Sequence, residues 1–287
     1  MEKNILILLM SCNNALYEKE EIACRDTFLK DAEGENISYY FYKSVNETHP
    51  EEMVDEETHT IYLNTPDNLL STAKKTTRAL AVALSLNTPW DYVIKTNVST
   101  YLNIKNIVKA ANKWEGKDDD NIYGARFIVN EQSLHVPFPR GHFTMISHSM
   151  AQNILPIANK LSNDESLPGT DDTIIGLSLL YYAEKLSEKK YLDRLREIPA
   201  VNAWLREELP DTPEVTDALC IRCKSEPNKG KTPQNLQEIH TLLKSGSLNK
   251  KKTYRRKCSL VETTLGLMHY DMYSKLVMKL KKLQQNK

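Results

Sequence analysis

The sequence predicts an α/β domain built on a mixed central sheet. Three observations carry that prediction. Strand-like apolar runs recur at 4–10, 37–42, 59–63, 91–95, 122–129 and 142–147. Helical spacing separates or follows several of them, at 69–86, 104–114, 148–161 and 172–187. Neither GxGxxG after the first run nor GxxxxGK[ST] anywhere is present, which argues against a standard dinucleotide fold and a P-loop NTPase.

The first run, "NILILLM" at 4–10, is too short to span a membrane and lacks a small-residue cleavage site. A buried first strand is the expectation. It ends at "SCNN", where a loop opens at the carboxyl edge of the sheet, the usual ligand crevice of open α/β sheets. Arg25 in "CRDTF" falls on or just before the first helix. "LLSTAKKTTRAL" places Lys74, Lys75 and Arg78 on a helix, where they can supply positive charge for a diphosphate. "DYVIKTNVSTYLN", 91–103, reads as a short strand followed by the polar groups Lys95, Thr96, Asn97, Ser99 and Thr100.

Two later segments have chemical potential. In "PFPRGHFTMISHSM", 137–150, prolines stiffen the entry and Gly141 lets the backbone approach a ligand. Arg140 and His142 can touch phosphate or sugar hydroxyls, and Ser147 can cap a helix starting near His148. A tight structural loop entering a buried strand is the plainer alternative. In "PGTDDTIIG", 168–176, Pro168 and Gly169 turn the chain, and Thr170 or Asp171 can cap the next helix. Of the adjacent carboxylates Asp171 and Asp172, one can cap while the other faces a cleft as a general base. A double cap is the plainer alternative.

The chain has 287 residues, 26% charged and 40% hydrophobic, with zero formal net charge. Residues 244–287 nevertheless hold 12 Lys/Arg against Glu262 and Asp271, a net of +10. Such an end suits phosphate, nucleic acid or an anionic membrane surface, or is a solvated helix face. The main α/β domain is expected over 1–210. A C-terminal extension, 211–287, then follows the acidic, Pro-containing break "ELPDTPEVTD". Within it, 227–234 reads as a loop, and Leu276, Leu280 and Leu283 as the apolar stripe of a peripheral helix. Five cysteines in a chain this long do not suggest a disulfide framework, and a cytoplasmic protein, peripheral to a membrane if its basic end binds one, is expected. Cys220-x-x-Cys223, His240 and Cys258 offer four zinc ligands, but at spacings unlike a common zinc module.

The order of "ILILLMSCN", "RDTF", "STAKKTTRAL", "WDYVIKTNVSTYLN", "YGARF", "PRGHFTMISHSM" and "GTDDTIIG" resembles the beta-1,3-galactosyltransferase and N-acetylglucosaminyltransferase family, which includes Fringe-like enzymes. The resemblance covers roughly 4–180 and rests on order and spacing rather than on one motif. It implies a GT-A type nucleotide-sugar-binding fold and inverting transfer from a nucleoside diphosphate sugar, usually UDP-linked. By the same resemblance Asp172 is the base and Asp171 orients the acceptor or supports the base. Cys12, Arg25, Lys75, Lys95, Asn97, Ser99, Arg140 and Gly141 stand on the donor side. Family members carry Arg-x-Thr-Trp where this chain has Arg25-Asp26-Thr27-Phe28.

The family's acidic triad, which binds Mn2+ or Mg2+, is replaced by Asn97, Val98 and Ser99. Ser99, at the ligand position, is a poor neutral ligand. The run Asp118-Asp119-Asp120 follows the 104–114 helix and just precedes the next strand, which puts it on the wrong side of the sheet. Three readings remain open: weak metal binding through His269 and diphosphate oxygens, metal-independent transfer helped by Lys95, Arg140 or C-terminal cations, or binding without catalysis. For the acceptor, a glycan or lipid-linked precursor in surface glycan synthesis is expected, with hydroxymethylated DNA as the alternative.

Overall fold

A computed structural model of the protein describes residues 2–125, 127–130, 134–164, 170–184, 193–202, 212–224 and 229–245. Eight strands form its central sheet, in the order β11-β7-β10-β5-β1-β2-β4-β3. In chain order these are β1 (Ile5–Met10), β2 (Ile37–Ser44), β3 (Met53–Asp55), β4 (Thr60–Leu63), β5 (Tyr92–Asn97), β7 (Ile122–Gly124), β10 (Phe143–Ser147) and β11 (Leu195–Glu197). Strands β5, β1, β2 and β4 run parallel, whereas β10 is antiparallel to β5 and β7, and β3 to β4. The expected α/β class with a mixed central sheet is the one observed, consistent with the GT-A type.

The first strand shows why its sequence reads as an unbroken apolar run. Ile5, Ile7 and Leu9 enter a cluster with Phe28, Phe41 and Ile94. Leu6 and Leu8 enter a separate cluster with Tyr42, Ile61 and Leu80. Both faces of β1 are therefore covered, and no polar alternation is needed. On the second face lie α2 (Thr72–Ser85), α4 (His148–Ser162) and α5 (Asp171–Glu184), contributing Ala73, Ala151 and Ile174 among others. On the first lie α1 (Ala15–Cys24), a π-helical turn Arg25–Leu29, and α3 (Ile104–Ala111).

Local signals set the helix starts. The Asn14 side chain accepts from the Leu16 and Tyr17 amides at 3.1 and 3.2 Å, capping α1. The Ser147 hydroxyl accepts from the Met150 amide at 3.1 Å, so the cap expected for the helix near His148 is formed. The run expected as one strand over 122–129 divides. Residues Ile122–Gly124 join the central sheet, while β8 (Phe127–Asn130) pairs with β9 (Leu134–Pro139) as a separate antiparallel hairpin.

The break expected near residue 210 falls at residues 203–211, outside the described residues. A three-stranded sheet, β12-β13-β6, is made of β6 (Thr100–Leu102), β12 (Ala200–Asn202) and β13 (Cys220–Arg222). Residues of α6 (Thr212–Asp217) and α7 (Thr232–Ser245) join β13 in the first cluster: Val215, Ile221, Leu236 and Ile239 share it with Ile5 and Ile7. The loop expected over 227–234 is helical at its end, because α7 begins at Thr232. The expected helix of Leu276, Leu280 and Leu283 lies outside the described residues, as do His269, Cys258 and nearly all of the basic end. Among the described residues, no helix is long and apolar enough to cross a membrane.

Candidate functional site

The carboxyl ends of β1 and β5 lie side by side, with Met10 opposite Asn97. Strand β10 enters antiparallel, with Phe143 opposite Thr96, so the loop at Arg140–His142 reaches the same edge. Helix α5 brings a fourth segment there. The Lys95 ammonium forms an ion pair with Asp171 and donates to the Gly141 carbonyl oxygen. The Asp171 amide donates to the Thr72 hydroxyl at 3.3 Å, tying the start of α5 to the start of α2. The Asp172 carboxylate accepts from the Thr173 amide at 2.9 Å. The structure thus brings together Lys95, Gly141, Asp171 and Asp172, which the sequence separates by up to 77 residues.

The two carboxylates differ as the sequence suggests they must. Asp171 is held by Lys95, whereas Asp172, half-buried in the first turn of α5, carries its charge close enough to Lys95 to act on it. Burial pulls the Lys95 ammonium down to about 8; Asp172 opposes that shift and the Arg222 guanidinium adds to it. His142 is buried and neutral. Burial, with the charges of Arg222, Arg140 and Lys95, pushes it down to about 3, and its buried Nδ1 has no hydrogen-bond partner among the described residues. Arg140 itself is half-buried at this loop.

Gly141 has a steric reason to be glycine. A Cβ there would lie 3.0 Å from the Asp172 Cβ, 3.2 Å from Asp171 Oδ2 and 3.4 Å from Lys95 Nζ. Gly141→Ala is therefore expected to push the acidic pair out of place and slow turnover by about 10-fold or more, since small misplacements of reacting groups cost up to about 100-fold. Steady-state kinetics check it: KM for the donor should change much less than kcat.

The turn after β5 is built around Asn97. Its side-chain oxygen accepts from the Ser99 amide at 3.2 Å, the Ser99 hydroxyl at 2.7 Å and the Thr100 hydroxyl at 3.0 Å. Val98 is buried, and the Cys24 thiol donates to its carbonyl oxygen. Phe28, which stands where the resembled family has Trp, meets Tyr101 edge-to-face at 5.5 Å beneath this turn. Asn97→Ala is expected to destabilise the protein by about 1–3 kcal/mol, because three donors lose one acceptor. The shift in the urea unfolding midpoint measures it.

This turn does not fit the divalent cation that the resemblance implies. Hard cations take carboxylate oxygens, and these positions offer an amide oxygen already accepting three hydrogen bonds, a buried valine and a hydroxyl directed at that amide. The charges nearest the turn include the cations Lys95 and Arg222, and the carboxylates of Asp171 and Asp172 are set on the Lys95 side, where Asp171 is already paired. The acidic run 118–120 is no substitute. Asp119 is buried at the opposite edge, accepting from the Tyr92 and Tyr123 hydroxyls at 2.8 and 2.7 Å, and Asp120 pairs with Arg194. Among the described residues, no cluster of three His, Cys, Asp or Glu side chains could hold a metal ion.

The remaining expected donor-side residues divide. Cys12 follows β1 at the correct edge, half-buried, its thiol raised by burial against the opposing charge of Lys75. Lys75 is fully buried at the same loop, donates to the Ser11 carbonyl oxygen at 3.0 Å and forms an ion pair with Asp67. A charge enclosed in this way holds the β1 loop in shape. Arg25 lies away from the edge. Its guanidinium stacks over Phe41 at 4.5 Å and donates to the Tyr39 hydroxyl and the Thr58 carbonyl oxygen, at the amino-terminal ends of β2 and β4. Of the zinc ligands considered, Cys220 and Cys223 are buried thiols, while His240 meets Tyr101 and Asp31.

Arg222, whose charge acts on both Lys95 and His142, is a residue that sequence reasoning missed. The alternation in "LCIRC" is its one local signal, and the segment is too short for that to stand out.

No family model matches the chain, and no curated protein does. Among solved structures it is similar to a glycosyltransferase involved in the glycosylation of the major capsid of PBCV-1, with 10% identity over 82% of this chain and 99% of that one and a TM-score of 0.49. The galactosyltransferase LgtC, in complex with donor and acceptor sugar analogues, has 10% identity over 85% and 96% and a TM-score of 0.45. The mannosyltransferase PcManGT from Pyrobaculum calidifontis, in complex with GDP-Man and Mn2+, has 10% identity and a TM-score of 0.43. This chain is covered over 88% in that match and that chain over 66%, just under two thirds of its length. Likeness this distant leaves the activity to be argued from the chain's own residues.

Proposed function

We propose that the protein is a glycosyltransferase that moves a sugar from a nucleoside diphosphate, UDP in the first instance, to an acceptor hydroxyl with inversion. The observation that carries this reading is the convergence of Lys95, Gly141, Asp171 and Asp172 at the carboxyl edge of β5. Asp172 takes the proton of the acceptor hydroxyl, whose oxygen forms a new bond to the anomeric carbon. The bond from that carbon to the diphosphate oxygen breaks, and its electron pair leaves on the diphosphate. Asp171, held by Lys95, supports the base and orients the acceptor.

Within this reading the fold is of the GT-A type and the chain is akin to the beta-1,3-galactosyltransferase and Fringe-like enzymes. The acceptor is a glycan or lipid-linked glycan, and residues 244–287 give the enzyme a basic end suited to an anionic surface. The test is a screen of UDP-, GDP-, ADP- and CDP-sugars, with and without Mn2+, read as mass gain on lipid-linked glycans and on hydroxymethylated DNA. Proton NMR of the product's anomeric signal reads the stereochemistry. Nucleotide binding with no transfer to any acceptor, and no slow donor hydrolysis, would leave a binding protein instead.

A further inference from the structure

The cation set at this site has one member that no part of the sequence resemblance supplies. We propose that Arg222 binds the donor's diphosphate in place of a divalent metal ion and steadies the charge that gathers there as the anomeric bond breaks. The inference rests on the donor reading above and names how that site is neutralised.

Backbone pairing places the residue. Strand β13 runs antiparallel to β6 with Arg222 opposite Thr100. Directly paired residues project from the same face of a sheet, with Cβ atoms roughly 5 Å apart. The Thr100 hydroxyl on that face donates to Asn97, the residue that opens the triad position. One residue on, the Cys223 amide donates to the Ser99 carbonyl oxygen at 2.8 Å, fastening the end of β13 to the same turn. Cys220, Ile221 and Cys223 are buried in the core, and Arg222 between them is half-exposed. The strand is therefore anchored by its apolar members and presents its one cation beside Asn97.

The electrostatic surroundings agree with that placement. The Arg222 charge acts on both Lys95 of β5 and His142 of the β10 entry loop, so the guanidinium lies within range of both segments. A guanidinium fork matches two oxygens of a phosphate, which a lysine ammonium meets only as a point charge. When the diphosphate leaves it gains one negative charge, and a fixed guanidinium favours that state over the bound donor.

The test measures binding of UDP, GDP, ADP and CDP to the full chain, in EDTA and in MnCl2, for wild type, Arg222→Gln and Arg222→Lys. The nucleoside diphosphate bound best by wild type should bind equally well in both media. Arg222→Gln should weaken it by about 10–100-fold, as for a lost charged hydrogen bond, and Arg222→Lys should recover part of that loss. Binding of the corresponding free nucleoside, read by saturation-transfer NMR, should be unchanged. Tight binding that needs Mn2+, or Arg222→Gln binding as wild type does, overturns the inference while leaving the donor reading in place. Should the Gln variant not fold, the wild-type comparison between EDTA and MnCl2 decides alone. Absence of binding for all four nucleoside diphosphates overturns the donor reading and this inference with it.

Discussion

Asp172→Asn is expected to slow sugar transfer by about 10²–10⁴-fold, the usual contribution of a positioned general base, while donor affinity changes by less than about twofold. The amide keeps the shape and the acceptor for the Thr173 amide, so the first turn of α5 survives. What it loses is the capacity to take a proton. Asp171→Asn differs in kind. It removes the counter-charge of Lys95, so the change reaches stability and the placement of Gly141 as well as rate. Single-turnover rates with saturating donor separate the two: an Asp172→Asn enzyme within threefold of wild type would remove the base assignment. Donor hydrolysis in the absence of acceptor gives a second reading, because attack by water needs the same proton acceptor.

The contrast between these two carboxylates was legible in the sequence only as a requirement. Adjacent aspartates on a helix start cannot share one environment, but which of them meets a partner depends on Lys95, 76 residues earlier. The sheet was easier to read. A run such as "ILILL" has one stable use in an α/β domain, a strand covered on both faces, and Leu6 and Ile7 enter different clusters as that demands. Short strands were harder. Strands β6, β12 and β13 have three residues each, too few for a period to show, and their pairing is fixed by cores remote in sequence. That is why Val215, Ile221, Leu236 and Ile239, which lie in one cluster with Ile5 and Ile7, read in the sequence as part of an appendage. It is also why Arg222 escaped notice. Arg25 and Lys75 show the converse limit. A cation near a sheet edge in sequence can be satisfied elsewhere: Lys75 by Asp67, and Arg25 by the Phe41 ring and the Thr58 carbonyl oxygen.

Lys95 gives the second large effect, and its sign is diagnostic. Burial holds its ammonium at about 8, below the ordinary 10.5, with the Asp172 charge acting the other way and Arg222 adding to the fall. Below that value, folded and unfolded chains both carry the proton, and keeping a buried charge costs the folded state on the order of 3 kcal/mol at about 1.36 kcal/mol per unit. Between about 8 and 10.5 the unfolded chain binds the proton and the folded one does not, so this group makes stability rise with pH. Activity should move oppositely. Loss of the Lys95 charge leaves Asp171 beside Asp172 without a counter-ion and takes a cation from the diphosphate. Transfer rate is therefore expected to fall by about 10-fold or more between pH 8 and 10, in line with a lost charged hydrogen bond, while this group's contribution to the thermal midpoint rises. Lys95→Arg, whose guanidinium stays charged throughout, should lose the alkaline limb even where its rate at pH 7 is reduced. A wild-type rate that stays flat to pH 10, or a limb that persists in Lys95→Arg, would show that the charge on Lys95 does not govern the step. A fall in rate accompanied by a falling thermal midpoint would instead mark ordinary alkaline unfolding.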